Sequence, residues 1–240
     1  MVLIIIVFVL VSAYFFCFVY CVHKSKKAFE YADDIEMLDG LENREDNSNN
    51  NSNKRKNFKG KIFNVLYSLV RTMIFFTGVI PSHTIRNWLY RHVFRVRFAK
   101  SAVIYSNVEI RAPWNLIVDD GAIIGDKCIL DARSGLYIGP NVNVSTGCWI
   151  WSLQHDVNSP YFSVEGEGLP VIIKERVWLS CRTTILPGTT VGEGCVLCAG
   201  AVCTRDCKPY GIYGGIPAKR IGERNHNLQY EFDGTRMMFL

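Results

Sequence analysis

The chain has 240 residues, 49% of them hydrophobic, and a formal net charge of +5. That length and apolar content allow one domain with a sizeable core, plus appendages. The modest charge, with no zinc-finger spacing and no Arg-rich arm, gives no support for a nucleic-acid partner.

Met1 to Val22 is almost continuously apolar, and Ser12 is its only clearly polar side chain. About 20 such residues cross a bilayer as a helix. The run leads straight into His23-Lys24-Ser25-Lys26-Lys27, without the small-residue cleavage site of a secretory signal. Residues 1–22 are therefore expected to be an uncleaved, single-pass transmembrane anchor in membrane lipid. No Lys or Arg precedes the run and three closely follow it, so the positive-inside rule puts the rest of the chain in the cytoplasm. Residues 23–60 mix charges with the polar run Asn47–Asn53. They are expected to be a flexible linker, which would make the anchor separable. Residues 61–100 hold seven Lys or Arg and no Asp or Glu. The spacing of Ile62, Leu66, Leu69 and Met73 predicts a basic amphipathic helix. It either lies on anionic lipid or caps the domain core, and the two are compatible.

From Val118 onward an aliphatic residue returns every six positions: Val118, Ile124, Leu130, then Ile138, Val144, Ile150, with one step of eight. A second block runs Ile173, Leu179, Ile185, Val191, Leu197, with Cys203 as a thiol in the same role. Strands alternate with period two and helices near 3.6, so neither explains a strict six. A hexapeptide period marks a parallel β-helix, in which each repeat forms one side of a coil and the next turns the corner. Ile104 and Ile110 fit the same frame, so the coil is expected to span 101–222, leaving 223–240 as a tail. Most residues four beyond the aliphatic position are small, among them Cys128, Cys148, Cys195 and Cys207. Free cysteine packs there as a small apolar residue. This explains Cys195, Cys203 and Cys207 better than a zinc site does, so no metal is expected. Gly125, Gly139 and Gly192 are expected at corners that need unusual backbone angles.

The interval from Ile150 to Ile173 far exceeds one step. It predicts a loop, Asp156 to Pro170, thrown out of the coil directly after His155. Long loops on a rigid scaffold usually hold function. Of the chain's five histidines, His155 alone lies within the coil. The bland alternative is a solvated loop histidine.

His155-Asp156, Val177-Trp178-Leu179, Ile185 to Gly194, Ala199 to Asp206 and Gly214 to Lys219 together resemble the hexapeptide-repeat O-acetyltransferases. Pro113-Trp114-Asn115-Leu116 and the basic stretch before it look most like the colanic-acid-type exopolysaccharide enzymes, with galactoside and maltose O-acetyltransferases next. The resemblance runs from about Arg86 to Gly222. It implies a left-handed β-helix, acetyl-CoA as donor, a carbohydrate or glycolipid hydroxyl as acceptor, and a homotrimer with sites between neighbouring coils. The family's catalytic histidine falls on His155, and its tryptophan beside the CoA arm falls on Trp178. Cys181, Ala199, Thr204 and Arg205 take the other cofactor contacts, and Lys219 and Arg220 face the CoA phosphates. Asp156 and Ser159 are expected on the acceptor side. Ser180 and Cys181 depart from the family, which usually has Gly at the first position and Ser or Ala at the second.

An alcohol attacks a thioester poorly until its proton is removed, and histidine can take that proton near neutral pH. A backbone N–H near Cys181 is a candidate to stabilise the thioester oxygen. Two other readings stay open: an N-acyltransferase acting on an amino sugar, and a non-catalytic coil serving as a scaffold. A carbonic anhydrase on the same coil would need three histidines meeting at an interface, which one coil histidine does not supply.

Overall fold

The structure, a computed structural model, describes residues 2–35, 55–165 and 169–235. The polar run Asn47–Asn53 and the end of the tail lie outside those residues.

Two- and three-residue strands stack into three parallel sheets, the faces of a β-solenoid of about six turns. The first face runs Arg97–Phe98, Leu116–Val118, Leu136–Ile138, Val171–Ile173, Thr190–Val191. The second contains Val103–Ile104, Ile123–Ile124, Asn143–Val144, Trp178–Leu179, Val196–Leu197 and Gly211–Gly214. The third contains Glu109–Arg111, Ile129–Asp131, Trp149–Ile150, Thr184–Ile185 and Val202–Cys203. The six-residue period is the inside of this coil. Ile104 stacks on Ile124 and Val144, and Ile110 on Leu130 and Ile150, all buried. The steps of eight fall at the corner from third face to first; at the first of them the 3-10 turn Pro113–Asn115 widens the path and buries Trp114. Pairing begins earlier than the expected Ser101, because Arg97–Phe98 already pairs with Ile117–Val118.

Two finer expectations are corrected. Gly125, Gly139 and Gly192 do not have positive φ. A Cβ on Gly125 would sit 2.7 Å from the Thr146 nitrogen, and one on Gly192 would sit 2.6 Å from that of Pro209. Close stacking of coils, not backbone angle, requires glycine at both. Cys207 bridges Val191 on the first face, so it occupies an aliphatic position rather than a small one. The turn after Cys203 is shorter than a full hexapeptide, which brings the Cys203 and Cys207 sulfurs to 3.2 Å.

Ile185 is fully buried and sits between Ile150 and Cys203 in the third-face column. Truncating it leaves a cavity that stacked backbones on both sides cannot close. Ile185→Ala is expected to destabilise the coil by about 2–5 kcal/mol, read as a lower urea midpoint.

Three helices cover the first coil. They are α1 (Val2–Ile35), α2 (Arg55–Gly78) and α3 (His83–His92). Within α1 the stretch Ile5–Ser25 is long and apolar enough to cross a membrane. The helix does not stop at Val22 but continues through residues expected in the linker. Nor is it a detached anchor. Cys17, Tyr20 and Cys21 recur on one helical face and are buried. The Tyr20 ring meets Trp114 edge-on at 5.4 Å, and Tyr67 of α2 meets the same indole at 6.1 Å. Removing residues 1–57 would uncover this aromatic cluster. In α2 the buried stripe is Val70, Met73, Ile74 and Thr77. Of the expected face, Met73 is buried and Leu66 and Leu69 pack half-buried against the core, whereas Ile62 is exposed, as are Val65, Phe75 and Phe76. Arg86 of α3 is fully buried. Its guanidinium donates to the carbonyls of Ile80 and Ile104, at 2.5 and 3.0 Å, and so fastens the helix to the coil.

At the other end Lys219–Glu223 pairs antiparallel with Gly211–Gly214. The tail then runs back along the corner between first and second faces. Arg176 Nε donates to the Tyr230 carbonyl at 3.2 Å, and the Phe232 N–H donates to Asn141 Oδ1 at 2.8 Å.

Candidate functional site

His155 ends the third side of the third coil, where the chain leaves the solenoid. The loop is not irregular throughout. Gln154–His155 and Val164–Glu165 form a small antiparallel hairpin outside the coil sheets. His155 is exposed, yet held on two sides. Its ring stacks on Phe162 with centroids 3.8 Å apart and 14° between planes. Its Nδ1 lies 2.9 Å from the Phe162 carbonyl oxygen. A carbonyl only accepts, so Nδ1 carries the proton and donates. In the neutral ring the lone pair is then on Nε2, which is the tautomer a general base needs. Phe162 went unnoticed in the sequence, although an aromatic residue inside a loop beside a lone histidine is a usable signal.

Asp156 and Ser159 build this loop. Asp156 Oδ1 accepts from the Asn158 N–H at 2.8 Å, and Ser159 Oγ accepts from Tyr161 and Ser163 at 3.3 and 3.2 Å. Val157, Tyr161, Phe162 and Leu169 leave large apolar surfaces exposed on the loop.

Trp178 lies on the second face, 44% exposed, and its indole N–H donates to Ser145 Oγ at 3.2 Å. Cys181 follows at the corner from second face to third and is exposed. Ala199 stands at the same corner one coil on, where the Gly200 N–H donates to the Cys181 carbonyl at 3.0 Å. A Cβ on Gly200 would meet nothing within 4 Å, so this corner is open. Lys219 and Arg220 are exposed on the strand that ends the second face. Indole, open corner and terminal cations therefore run up one edge of the coil. They suit a long, flexible acyl-CoA with anionic phosphates.

Thr204 and Arg205 fall elsewhere. They follow Val202–Cys203 and stand at the corner from third face to first, the corner from which the His155 loop departs. A single chain therefore splits the expected site across the two edges of its third face. His155, Asp156, Ser159, Thr204 and Arg205 occupy one edge. Trp178, Cys181, Ala199, Lys219 and Arg220 occupy the other.

Among the described residues no group of three or more His, Cys, Asp or Glu is placed to hold a metal ion. Burial pushes the Cys195 thiol up to about 11, as suits a packed, unreactive sulfur.

No protein-family profile matches the sequence. A protein of Escherichia coli assigned as a colanic acid biosynthesis acetyltransferase is 30% identical over 132 residues, covering 55% of this chain and 71% of that one. The chain belongs to the hexapeptide-repeat acetyltransferases. Galactoside O-acetyltransferase of Escherichia coli is 32% identical over 133 residues, 54% of this chain and 59% of that one. Among solved structures, a maltose O-acetyltransferase from Clostridium difficile shares the fold with TM-score 0.58 and 22% identity, over 67% of this chain and 87% of that one. A hexapeptide-repeat acetyltransferase from Vibrio cholerae, solved with acetyl-CoA, has TM-score 0.54 and 18% identity, over 68% of this chain and 90% of that one.

Proposed function

We propose that the enzyme is a membrane-bound O-acetyltransferase acting on a sugar hydroxyl of a polysaccharide or glycolipid precursor, with His155 as general base. The observation that supports this is the hydrogen bond from Nδ1 to the Phe162 carbonyl, which leaves Nε2 free to accept the hydroxyl proton. Acetyl-CoA supplies the acetyl group as a thioester. His155 takes the acceptor proton as the acceptor oxygen bonds to the acyl carbon, and returns it to the departing sulfur. No group of the protein is acylated, so holding both substrates in one cleft does much of the work.

The divided site favours a homotrimer. In a closed ring the His155 edge of one copy meets the Trp178–Cys181 edge of the next. The exposed apolar loop residues then find a neighbour to cover them. Thr204 and Arg205 would approach the cofactor of the neighbouring groove. Asp156 and Ser159 would serve the acceptor by shaping the loop. The apolar helix Ile5–Ser25 is read as a single membrane span, with Lys24, Lys26 and Lys27 holding the catalytic domain on the cytoplasmic side. On this reading the chain divides into anchor, linker, helical cap, catalytic coil and tail.

Cys181 gives a direct test of donor binding. It is exposed, whereas Cys128, Cys148, Cys195, Cys203 and Cys207 are buried. Iodoacetamide is expected to modify Cys181 first, and acetyl-CoA is expected to protect it while raising the melting temperature. Unchanged labelling at saturating acetyl-CoA would move the donor away from this corner. Acetyl-CoA consumption measured against a panel of glycans and glycolipids tests the acceptor class, and transfer only to amino groups would overturn O-acetylation.

A further inference from the structure

Beside α2 lies a cleft of about 710 Å³, walled by the helix on one side and by the outer surface of the first three coils on the other. Its Asn107 and Lys127 stand at the same second-to-third corner as Cys181 and Ala199, but two or more coils earlier. Phe75 and Phe76 form its helical wall, and Ile129 and Trp149 its floor. Phe75, Phe76 and Trp149 are also exposed to the outside. The two phenylalanines belong to the apolar surface that includes the outer side of α1. Tyr14 of α1 is hydrogen-bonded to Thr77 of α2, so Phe15 and Phe16 lie at the same level as Phe75 and Phe76. If α1 crosses a bilayer, the mouth of the cleft meets the leaflet.

Two cations, Arg71 and Lys127, line this apolar space, and a third adjoins it. Arg71 and Arg111 both reach the Glu109 carboxylate, at 2.6 and 2.9 Å. Burial pushes the Glu109 carboxyl up, but Arg111 and Arg71 outweigh it and hold the group below the usual carboxylate range. One carboxylate against three cations leaves an excess of positive charge. Such a cleft suits an amphiphile with a long apolar chain and an anionic head.

The route onward is aromatic. Trp149 stacks in register above Ile129 and Glu109, and its ring lies 6.4 Å from that of Trp151. The Arg111 guanidinium covers Trp151 at 4.8 Å. His155 follows four residues later on the same chain.

We propose that this cleft binds the lipid-phosphate end of a membrane-embedded, lipid-linked sugar acceptor, and that Trp149 and Trp151 guide the sugar toward His155. The proposal rests on the O-acetyltransferase reading above and adds the place where the acceptor is held. The chain lies against Phe75, Phe76 and Ile129. The phosphate sits between Arg71 and Lys127, and the sugar stacks on indole.

The test uses the full chain in detergent with a benzophenone-bearing farnesyl diphosphate as probe. Photolabel is expected on peptides containing Phe75–Phe76 or Ile129–Trp149. Unlabelled farnesyl diphosphate should compete, whereas farnesol or inorganic diphosphate alone should not. Arg71→Ala with Lys127→Ala is expected to reduce labelling roughly tenfold or more, the size of a lost charge-assisted hydrogen bond. Thr72→Trp, which fills the cleft from an exposed helical position, should reduce it without touching a charge. Label confined to the outer face of α1, equal competition by farnesol or by inorganic diphosphate, or a second copy of the chain cross-linked into the cleft would each overturn the proposal. Thermal stabilisation by acetyl-CoA is read on the same sample. Stabilisation without cleft labelling defeats the lipid site alone, and loss of stabilisation defeats the acetyltransferase reading instead.

Discussion

His155→Ala is expected to lower acetyl transfer by about 10²–10⁴-fold, the usual contribution of a positioned general base. Acetyl-CoA binding and folding should both survive. The side chain sits on an exposed hairpin outside the coil, and its removal opens no cavity in the core. Surface changes of this kind typically cost within about 0.5 kcal/mol of stability. The ring also holds the loop, through the Phe162 stack and carbonyl, so alanine alone would confuse chemistry with loop order. His155→Asn separates them, because an amide can still donate to that carbonyl but cannot act as a base. It should be as inactive as alanine. Phe162→Ala keeps the base and the backbone carbonyl and loses only the stack, worth about 0.5–1.5 kcal/mol, so a loss of no more than roughly tenfold is expected. Near-normal turnover by His155→Asn on a confirmed acceptor would remove His155 from the mechanism.

The period-six column was legible because each coil repeats the same constraint. An inward position such as Ile150 or Ile185 is flanked by others on both sides, so local sequence reports a global fold. Other features had no such repetition. The coil's steps of eight gave no hint that Trp114 would receive Tyr20 and Tyr67 from two helices. That cluster joins residues far apart in the chain, and the strong hydropathy of α1 masked its packing face. The outward position of Trp149 is legible in the sequence. It precedes inward Ile150, and strand alternation alone sends it outward. For the site, His155 and Trp178 each stood out as residues. That they lie on opposite edges of one face, with Thr204 on the His155 edge, follows only from the order of corners around the coil. The tail offered alternating Tyr230 and Phe232, but a strap held by Arg176 and Asn141 depends on partners roughly 50 and 90 residues away.

Mixing two inactive variants is expected to restore activity if the site is built between copies. In His155→Ala the Trp178–Cys181 edge is intact. In Cys181→Trp the histidine is intact, while a bulky ring fills the open corner beside Gly200. Cys181 is exposed and has no place in the core, so this variant should fold. Each homotrimer alone lacks a complete site. When the two chains assemble at random in a three-fold ring, about one site in four joins the His155 edge of one chain to the open corner of the other. Activity should therefore rise to about a quarter of the wild-type value, well above either parent given the loss of about 10²–10⁴-fold expected for the histidine variant. Co-expression with two affinity tags isolates the mixed assemblies, in which one site of three is complete, so that fraction should reach about a third of the wild-type value by acetyl-CoA consumption. A site contained in one chain makes the opposite prediction, since every chain in the mixture then carries one defect and activity stays at the average of the parents. The outcome decides whether the two edges, which lie apart within a chain, are rejoined between neighbouring chains.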